Sequence, residues 1–177
     1  MVDSVLNYIV AAIHNNAKNP HSTVVLRYAL GNLLNLIFTI AMVLVVCAIM
    51  GNIVSGLVAV LAFSVLRMIS GGLHFRSADV CNIVSALLVL TAVFVPEVSE
   101  TTALLLTSFA AALTLLFAPS GIKDKRVKRN KTMTKLLGMI VIMPNLLLGS
   151  ELLAMVFFIQ SLTTLPILHR IVDEYNL

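Results

Sequence analysis

The sequence predicts an all-α polytopic membrane protein with about six transmembrane helices, an N-terminal amphipathic helix at the membrane interface, and both termini in the cytoplasm. The 177 residues are 59% hydrophobic and only 11% charged. The mean hydropathy is +1.02. Apolar runs close to the roughly 20 residues that cross a bilayer recur along the chain. A water-soluble domain, in which about a quarter of residues are charged, is excluded.

The N-terminal segment, residues 1–20, is expected to be an interfacial helix. Apolar side chains recur at helical spacing over residues 2–17, but the segment is too polar to span. Asn19-Pro20 breaks the pattern, and Ser22 or Thr23 is expected to cap the next helix. No Ala-x-Ala site precedes the first apolar run, so a cleaved signal peptide is not expected.

Six apolar segments are expected to be transmembrane helices: residues 30–50, 53–66, 81–95, 102–118, 136–149 and 151–168. Gly51-Asn52 is expected to turn the chain between the first two. The third segment has only 15 residues before Pro96. Its length of about 22 Å is short of a hydrocarbon core about 30 Å thick. The segment before it is therefore expected to dip into the membrane edge, where irregular backbone needs a surrounding pocket. Residues 1–177 are expected to form a single integral-membrane domain.

The basic residues are distributed asymmetrically. Seven of the twelve Lys and Arg lie between Lys123 and Lys135. Threading six spans puts every Lys and Arg on one side of the membrane. The loops of the other side carry acidic residues instead: Glu97, Glu100 and Glu151. The positive-inside rule makes the basic side cytoplasmic, together with both termini, the 67–81 loop and the basic loop 121–135.

Most reactive side chains lie in the 67–81 loop, where a Gly-Gly pair precedes His74 and Cys81. A histidine can take the proton of a cysteine and leave a nucleophilic thiolate. In an unbroken helix, positions seven apart are separated by about 10.5 Å. The backbone must therefore fold back between the two residues, which Gly71 and Gly72 permit. The alternative is a structural role, with Cys81 as a small hydrophobe and His74 bonded to a neighbouring helix.

The start of the third apolar helix decides the surroundings of Cys81. Ser77 or Asp79 is expected to be its cap. With Asp79 as cap, Cys81 would lie in the first turn, where the helix dipole favours a thiolate. A disulfide with Cys47 is not expected, because the two cysteines are predicted near opposite faces of the bilayer. Neither a metal site nor another cofactor site is expected, because no paired-ligand motif is present, and no feature supports nucleic-acid binding.

Arg67, Gly71-Gly72, His74 and Cys81 resemble the signature of the accessory gene regulator B family. The resemblance in size and topology covers nearly the whole chain, and Ala118-Pro119 followed by lysines is similar as well. It implies a membrane cysteine endopeptidase that acts on an AgrD-type quorum-sensing propeptide. In this resemblance Cys81 is the nucleophile and His74 its base. Cleavage leaves an acyl-thioester on Cys81. A side chain of the remaining peptide then displaces Cys81 from this thioester and closes a thiolactone or lactone ring.

Several further residues are expected to bind this substrate. Arg67 and Arg76 are expected to hold an acidic segment of the propeptide, with snorkelling to the headgroups as the alternative. Backbone N–H groups near Gly72 or Cys81 are expected to form an oxyanion hole. The basic loop, including Lys123 and Lys125, is expected to attract anionic lipid or the acidic propeptide.

Other functions remain open. A small transporter or peptide exporter would use His74, Asp79 and the arginines as a polar path, although the predicted spans contain no acid–base relay. Their polar residues are amides: Asn32, Asn35, Asn145 and Gln160. A structural subunit of a larger complex is a third reading. The family resemblance also suggests a homodimer.

Overall fold

The computed structural model describes residues 2–16, 23–73, 75, 77–95, 98–120 and 130–174. Within these ranges the chain forms nine α-helices and no β-strand, which confirms the all-α prediction. They are α1 (Val2–Asn16), α2 (Thr23–Ile49), α3 (Ile53–Ser70), α4 (Ala78–Phe94), α5 (Glu100–Phe117), α6 (Lys131–Ile142), α7 (Pro144–Leu148), α8 (Glu151–Leu162) and α9 (Pro166–Glu174).

Four stretches of the described chain are long and apolar enough to cross a membrane: Ala29–Ile49 of α2, all of α3, all of α5, and Lys131–Leu148 of α6 and α7. The pair α8 and α9 would be a fifth. Helix α4 has 17 residues, a length of about 26 Å, and is short as expected for the third span. The structure thus contains four to five candidate spans, and the number six stays a prediction.

The expectation of one continuous helix over residues 151–168 is wrong. Helix α8 ends at Leu162, and α9 begins at Pro166 with a bend of 54° between them. Two features end the helix. The hydroxyls of Thr163 and Thr164 donate to the carbonyls three residues earlier, at 2.7 and 2.6 Å, and Pro166 has no N–H with which to continue the ladder.

The fifth predicted span, residues 136–149, starts earlier than expected and is interrupted. Asn130 caps α6 by accepting from the backbone N–H groups of Thr132 and Met133, so the helix begins five residues sooner, at Lys131. Pro144 occupies the first position of α7, where its missing N–H costs little. The interruption therefore separates α6 from α7 without ending the candidate span.

Helix α1 packs against α2 and α4. Leu6 and Val10 form its buried face, with Leu6 only 5% exposed. Leu6 packs over Gly31 of α2, where an added Cβ would lie 3.4 Å from Leu6 Cδ2, an ordinary contact distance. The amphipathic character of the segment is confirmed by this packing. Its position in the membrane interface stays a prediction.

Helix α8 packs against α5, α3 and α4. Small residues bring neighbouring helices close, as is usual in membrane bundles. A Cβ added to Gly56 would lie 2.5 Å from Cys47 Sγ, and one added to Gly138 would lie 2.8 Å from Thr114 Cγ2. The end of α8 meets the end of α3 where Gln160 Nε2 donates to Ser70 Oγ at 3.4 Å, next to the connection to α4.

The connection between α2 and α3 is the tight turn that Gly51-Asn52 predicts. Gly51 has a φ of 74°, and the Asn52 N–H donates to the carbonyl of Cys47 at 2.8 Å. Cys47 therefore lies near this end of the bundle, whereas Cys81 lies near the start of α4. Both are free thiols in this structure.

Candidate active site around Cys81

The connection between α3 and α4 is shorter than the predicted loop. Helix α3 continues past Arg67 to Ser70, and α4 begins at Ala78. The chain leaves α3 at Gly71, whose φ is 77°, followed by Gly72 with a φ of 146°. Glycine is the residue that adopts such positive φ values without strain. We call residues 71–73 the glycine turn; its two glycines are buried.

The glycine turn is paired with the segment that follows α5. Gly71 and Ser120 form a parallel bridge. The Gly72 N–H donates to the Ser120 carbonyl at 3.3 Å, and the Ser120 N–H donates to the Ser70 carbonyl at 3.0 Å. A Cβ on Gly71 would overlap the Ser120 carbonyl oxygen. This close approach gives a structural reason for a glycine at position 71.

The end of α8 supports the other side of the glycine turn. Gln160 Nε2 donates to the Gly71 carbonyl at 2.8 Å. A Cβ on Gly72 would lie 2.6 Å from Thr163 Oγ1 and 3.2 Å from Gln160 Nε2. The turn is thus enclosed by protein on both sides, which irregular backbone would require if it lay at membrane depth.

Cys81 is the fourth residue of α4. Ser77 is the N-cap and has extended backbone, with a φ of −88° and a ψ of 127°. Asp79 therefore lies in the first turn, and the prediction that Asp79 is the cap is wrong. The Cys81 N–H donates to the Ser77 carbonyl at 3.0 Å. Cys81 is 5% exposed. Its sulfur therefore lies in a nearly enclosed position within the first turns of the helix.

Arg67 connects Cys81 to the glycine turn. Its Nη2 donates to Cys81 Sγ at 3.4 Å and also to the Leu73 carbonyl. The guanidinium carbon lies 5.8 Å from the centroid of the Phe63 ring, one helical turn earlier. The guanidinium is therefore engaged by protein groups in this structure. A positive charge beside a sulfur stabilises negative charge on it.

Four of the candidate residues lie outside the described part of the chain: His74, Arg76, Lys123 and Lys125. The contact between His74 and Cys81 therefore stays a prediction, as does substrate binding by the three basic residues. In the part that the structure describes, no three His, Cys, Asp or Glu residues are grouped as metal ligands.

Sequence reasoning gave no role to the residues that hold the glycine turn. Gln160 was identified only as a polar residue in an apolar span, and Ser120 and Thr163 were not singled out. Gln160 was the usable signal, because a buried amide in a membrane helix requires a hydrogen-bond partner. Asn82, next to Cys81, is a second buried amide, 3% exposed. Its Oδ1 accepts from the Thr39 hydroxyl at 3.5 Å, and its Nδ2 has no hydrogen-bond partner among the residues that the structure describes.

The fold and the site together define a multi-pass α-helical membrane protein with a buried, arginine-bonded cysteine beside an enclosed glycine turn. A family model described as accessory gene regulator B matches residues 3–169 of the chain, and the chain belongs to this family. Membership associates the protein with the processing of autoinducer propeptides. No curated protein and no solved structure shows a significant match to the chain.

Proposed function

We propose that the protein is a membrane cysteine endopeptidase that removes the C-terminal part of an AgrD-type propeptide and supports cyclisation of the remainder. Cys81 is the nucleophile and His74 the general base. The observation that carries the proposal is the hydrogen bond from Arg67 Nη2 to Cys81 Sγ, 3.4 Å long, in a chain of the accessory gene regulator B family. Positive groups beside a cysteine are a common feature of nucleophilic thiols, and the Arg67 guanidinium is such a group next to Cys81.

The reaction proceeds through two acyl transfers. His74 takes the thiol proton, Cys81 Sγ attacks a backbone carbonyl of the propeptide, and the C–N bond breaks. The released amine takes the proton from His74, which leaves an acyl-thioester on Cys81. A cysteine or serine side chain of the same peptide then gives its proton to His74 and attacks the thioester. The products are a thiolactone or lactone and the free Cys81 thiolate, so no water is consumed.

Exclusion of water decides the outcome of the second step, because hydrolysis of the thioester would release a linear peptide. The low exposure of Cys81, at 5%, supports a site that protects its intermediate. The N–H groups of Gly72 and Cys81 already donate to the carbonyls of Ser120 and Ser77, so the oxyanion would be stabilised by neighbouring backbone N–H groups, such as those of the first turn of α4.

The active site is proposed to face the cytoplasm and to bind an acidic peptide segment beside anionic lipid. The one-sided distribution of Lys and Arg favours a cytoplasmic active site under the positive-inside rule. Arg76, Lys123 and Lys125 would bind the acidic part of the propeptide, and the same basic loop would contact anionic lipid headgroups. Formation of a homodimer stays a prediction from the family resemblance.

The test is cleavage of the short peptide encoded by the neighbouring reading frame, measured by mass spectrometry in vesicles that contain the purified protein. Cys81→Ser and His74→Ala are each expected to abolish cleavage while the protein still inserts. Cys47→Ser is the matched control and should retain full cleavage, because Cys47 lies near the α2–α3 turn. Equal cleavage by the Cys81→Ser variant would disprove the proposal. Solute transport that persists in this variant would support the transporter instead.

A further inference from the structure

Gln160 is the buried polar side chain that reaches the glycine turn from the last part of the chain. It is fully buried, at 0% exposure, in a helix whose other residues are mostly apolar. Burial of an amide costs free energy unless its polar atoms are hydrogen-bonded. Gln160 Nε2 donates to the Gly71 carbonyl at 2.8 Å and to Ser70 Oγ at 3.4 Å. Its Oε1 lies 3.3 Å from Thr163 Oγ1, whose single proton also points to the closer Gln160 carbonyl at 2.7 Å. The donor end of the amide is thus satisfied at the turn.

The position of the glycine turn is defined at both of its ends. Gln160 holds the carbonyl of its first residue, Gly71. Arg67 holds the carbonyl of its last residue, Leu73, with the same Nη2 that donates to Cys81 Sγ. A shift of the turn away from α8 therefore moves the Leu73 carbonyl that orients the guanidinium. The contact between Arg67 and Cys81 depends on where Gln160 holds the turn.

We propose that Gln160 is a positioning residue of the active site, which acts on Cys81 through the glycine turn and Arg67. It touches neither the sulfur nor the propeptide in this role. The effect on catalysis rests on the proposed function, but the coupling between Gln160, Arg67 and the Cys81 sulfur does not. It can therefore be measured without any propeptide.

The first experiment is a double-mutant cycle read out by the rate at which N-ethylmaleimide alkylates Cys81. All proteins carry Cys47→Ser, so that Cys81 is the sole cysteine, and all are purified as the full chain in lipid nanodiscs. Gln160→Met keeps the side-chain volume and removes the donor to Gly71. A hydrogen bond contributes about 1 kcal/mol, so we expect the alkylation rate to change about fivefold. In an Arg67→Gln background the same substitution should change the rate by less than about twofold, because coupled residues are non-additive.

The matched control is Asn145→Leu. Asn145 is also a buried amide, 1% exposed, and it donates to Thr107 Oγ1 and to the Ser150 carbonyl, each at 3.0 Å. It lies at the α7–α8 connection, away from the glycine turn. Its loss costs the bundle three hydrogen bonds, including one from the Ser150 N–H to Asn145 Oδ1 at 3.2 Å, but should change the alkylation rate by less than about twofold in either background.

Each outcome decides the question. An unchanged rate in Gln160→Met, or an equal change with and without Arg67, would overturn the proposal. Equal effects of Gln160→Met and Asn145→Leu would show a general loss of packing and overturn it too. If Gln160→Met does not fold, Thr163→Val replaces it, because this substitution removes the hydroxyl that contacts both the carbonyl and Oε1 of Gln160. It is held to the same criteria, with an expected change of about twofold.

The second experiment separates this proposal from the proposed function. In propeptide cleavage, Gln160→Met should lower kcat about fivefold and leave KM nearly unchanged, because a positioning residue does not bind substrate. A higher KM with an unchanged kcat would overturn the positioning role. If cleavage does not depend on Cys81, the proposed function fails, whereas the alkylation cycle still decides whether Gln160 and Arg67 are coupled.

Discussion

Removal of the Arg67 charge gives the sharpest prediction about catalysis. Arg67→Gln eliminates the positive charge that donates to Cys81 Sγ. A hydrogen bond to a charged group contributes about 1.5–3 kcal/mol, and about 1.4 kcal/mol corresponds to a factor of ten in rate. We therefore expect kcat for propeptide cleavage to fall roughly 10- to 150-fold. Arg67→Lys keeps the charge without the planar fork and should lie in between.

The kinetic parameter that changes tests the role of Arg67. The sequence predicted that this residue binds an acidic segment of the propeptide. Its contacts with Cys81 and Leu73 instead predict a lower kcat at a nearly constant KM. Both values would be measured in vesicles, with cleavage followed against propeptide concentration.

Arg27→Gln is the matched control, because Arg27 is exposed on α2 and its loss removes a positive charge from another helix. It should leave kcat within about twofold of the wild-type value. The reasoning is refuted if Arg67→Gln raises KM while kcat stays unchanged, or if both arginine variants lose the same activity.

Two further predictions concern glycines. Gly72→Ala forces a φ of 146° on alanine and brings its Cβ within 2.6 Å of Thr163 Oγ1. Strain of about 1–3 kcal/mol should reduce cleavage about fivefold or more. Gly51→Ala, with a φ of 74° but open space around it, should leave cleavage unchanged, and equal cleavage by both variants would contradict this. Gly138→Ala places its Cβ 2.8 Å from Thr114 Cγ2, and this overlap, about 1–3 kcal/mol, should outweigh the gain of about 1 kcal/mol in helix propensity and lower the Tm in detergent. Thr114→Ser removes that methyl group, so adding Gly138→Ala to it should raise the Tm. A higher Tm for Gly138→Ala alone would be the contrary result.

The fold class and the positions of several breaks could be predicted because they depend on local chemistry. Long apolar runs give helices in a membrane protein, and Gly51-Asn52 and Gly71-Gly72 stand where the chain turns. The short length of α4 was predicted because only 15 residues separate the start of the third apolar segment from Pro96. The break after α8 was missed, although Pro166 indicates it, because hydropathy continues smoothly across the polar Thr163-Thr164 pair.

The candidate site could be predicted only in part. The Gly-Gly pair and Cys81 were identified by spacing, since they lie within one short segment. The partners of the glycine turn were not, because Ser120 and Gln160 come from distant parts of the sequence and meet it only after the bundle packs. The direction of the Arg67 side chain was equally inaccessible, since a helical arginine near a membrane surface can point towards water or towards protein.

The hydrogen bond between Gln160 and Gly71 joins residues 89 positions apart. During synthesis, Cys81 would leave the ribosome well before the segment that fixes the turn beside it. If Gln160 has the positioning role proposed above, the nascent chain carries an exposed thiol in an unfinished enzyme, and peptidase activity is acquired only after α8 has entered the membrane. Completion of the polypeptide would then act as a safeguard against premature acyl transfer.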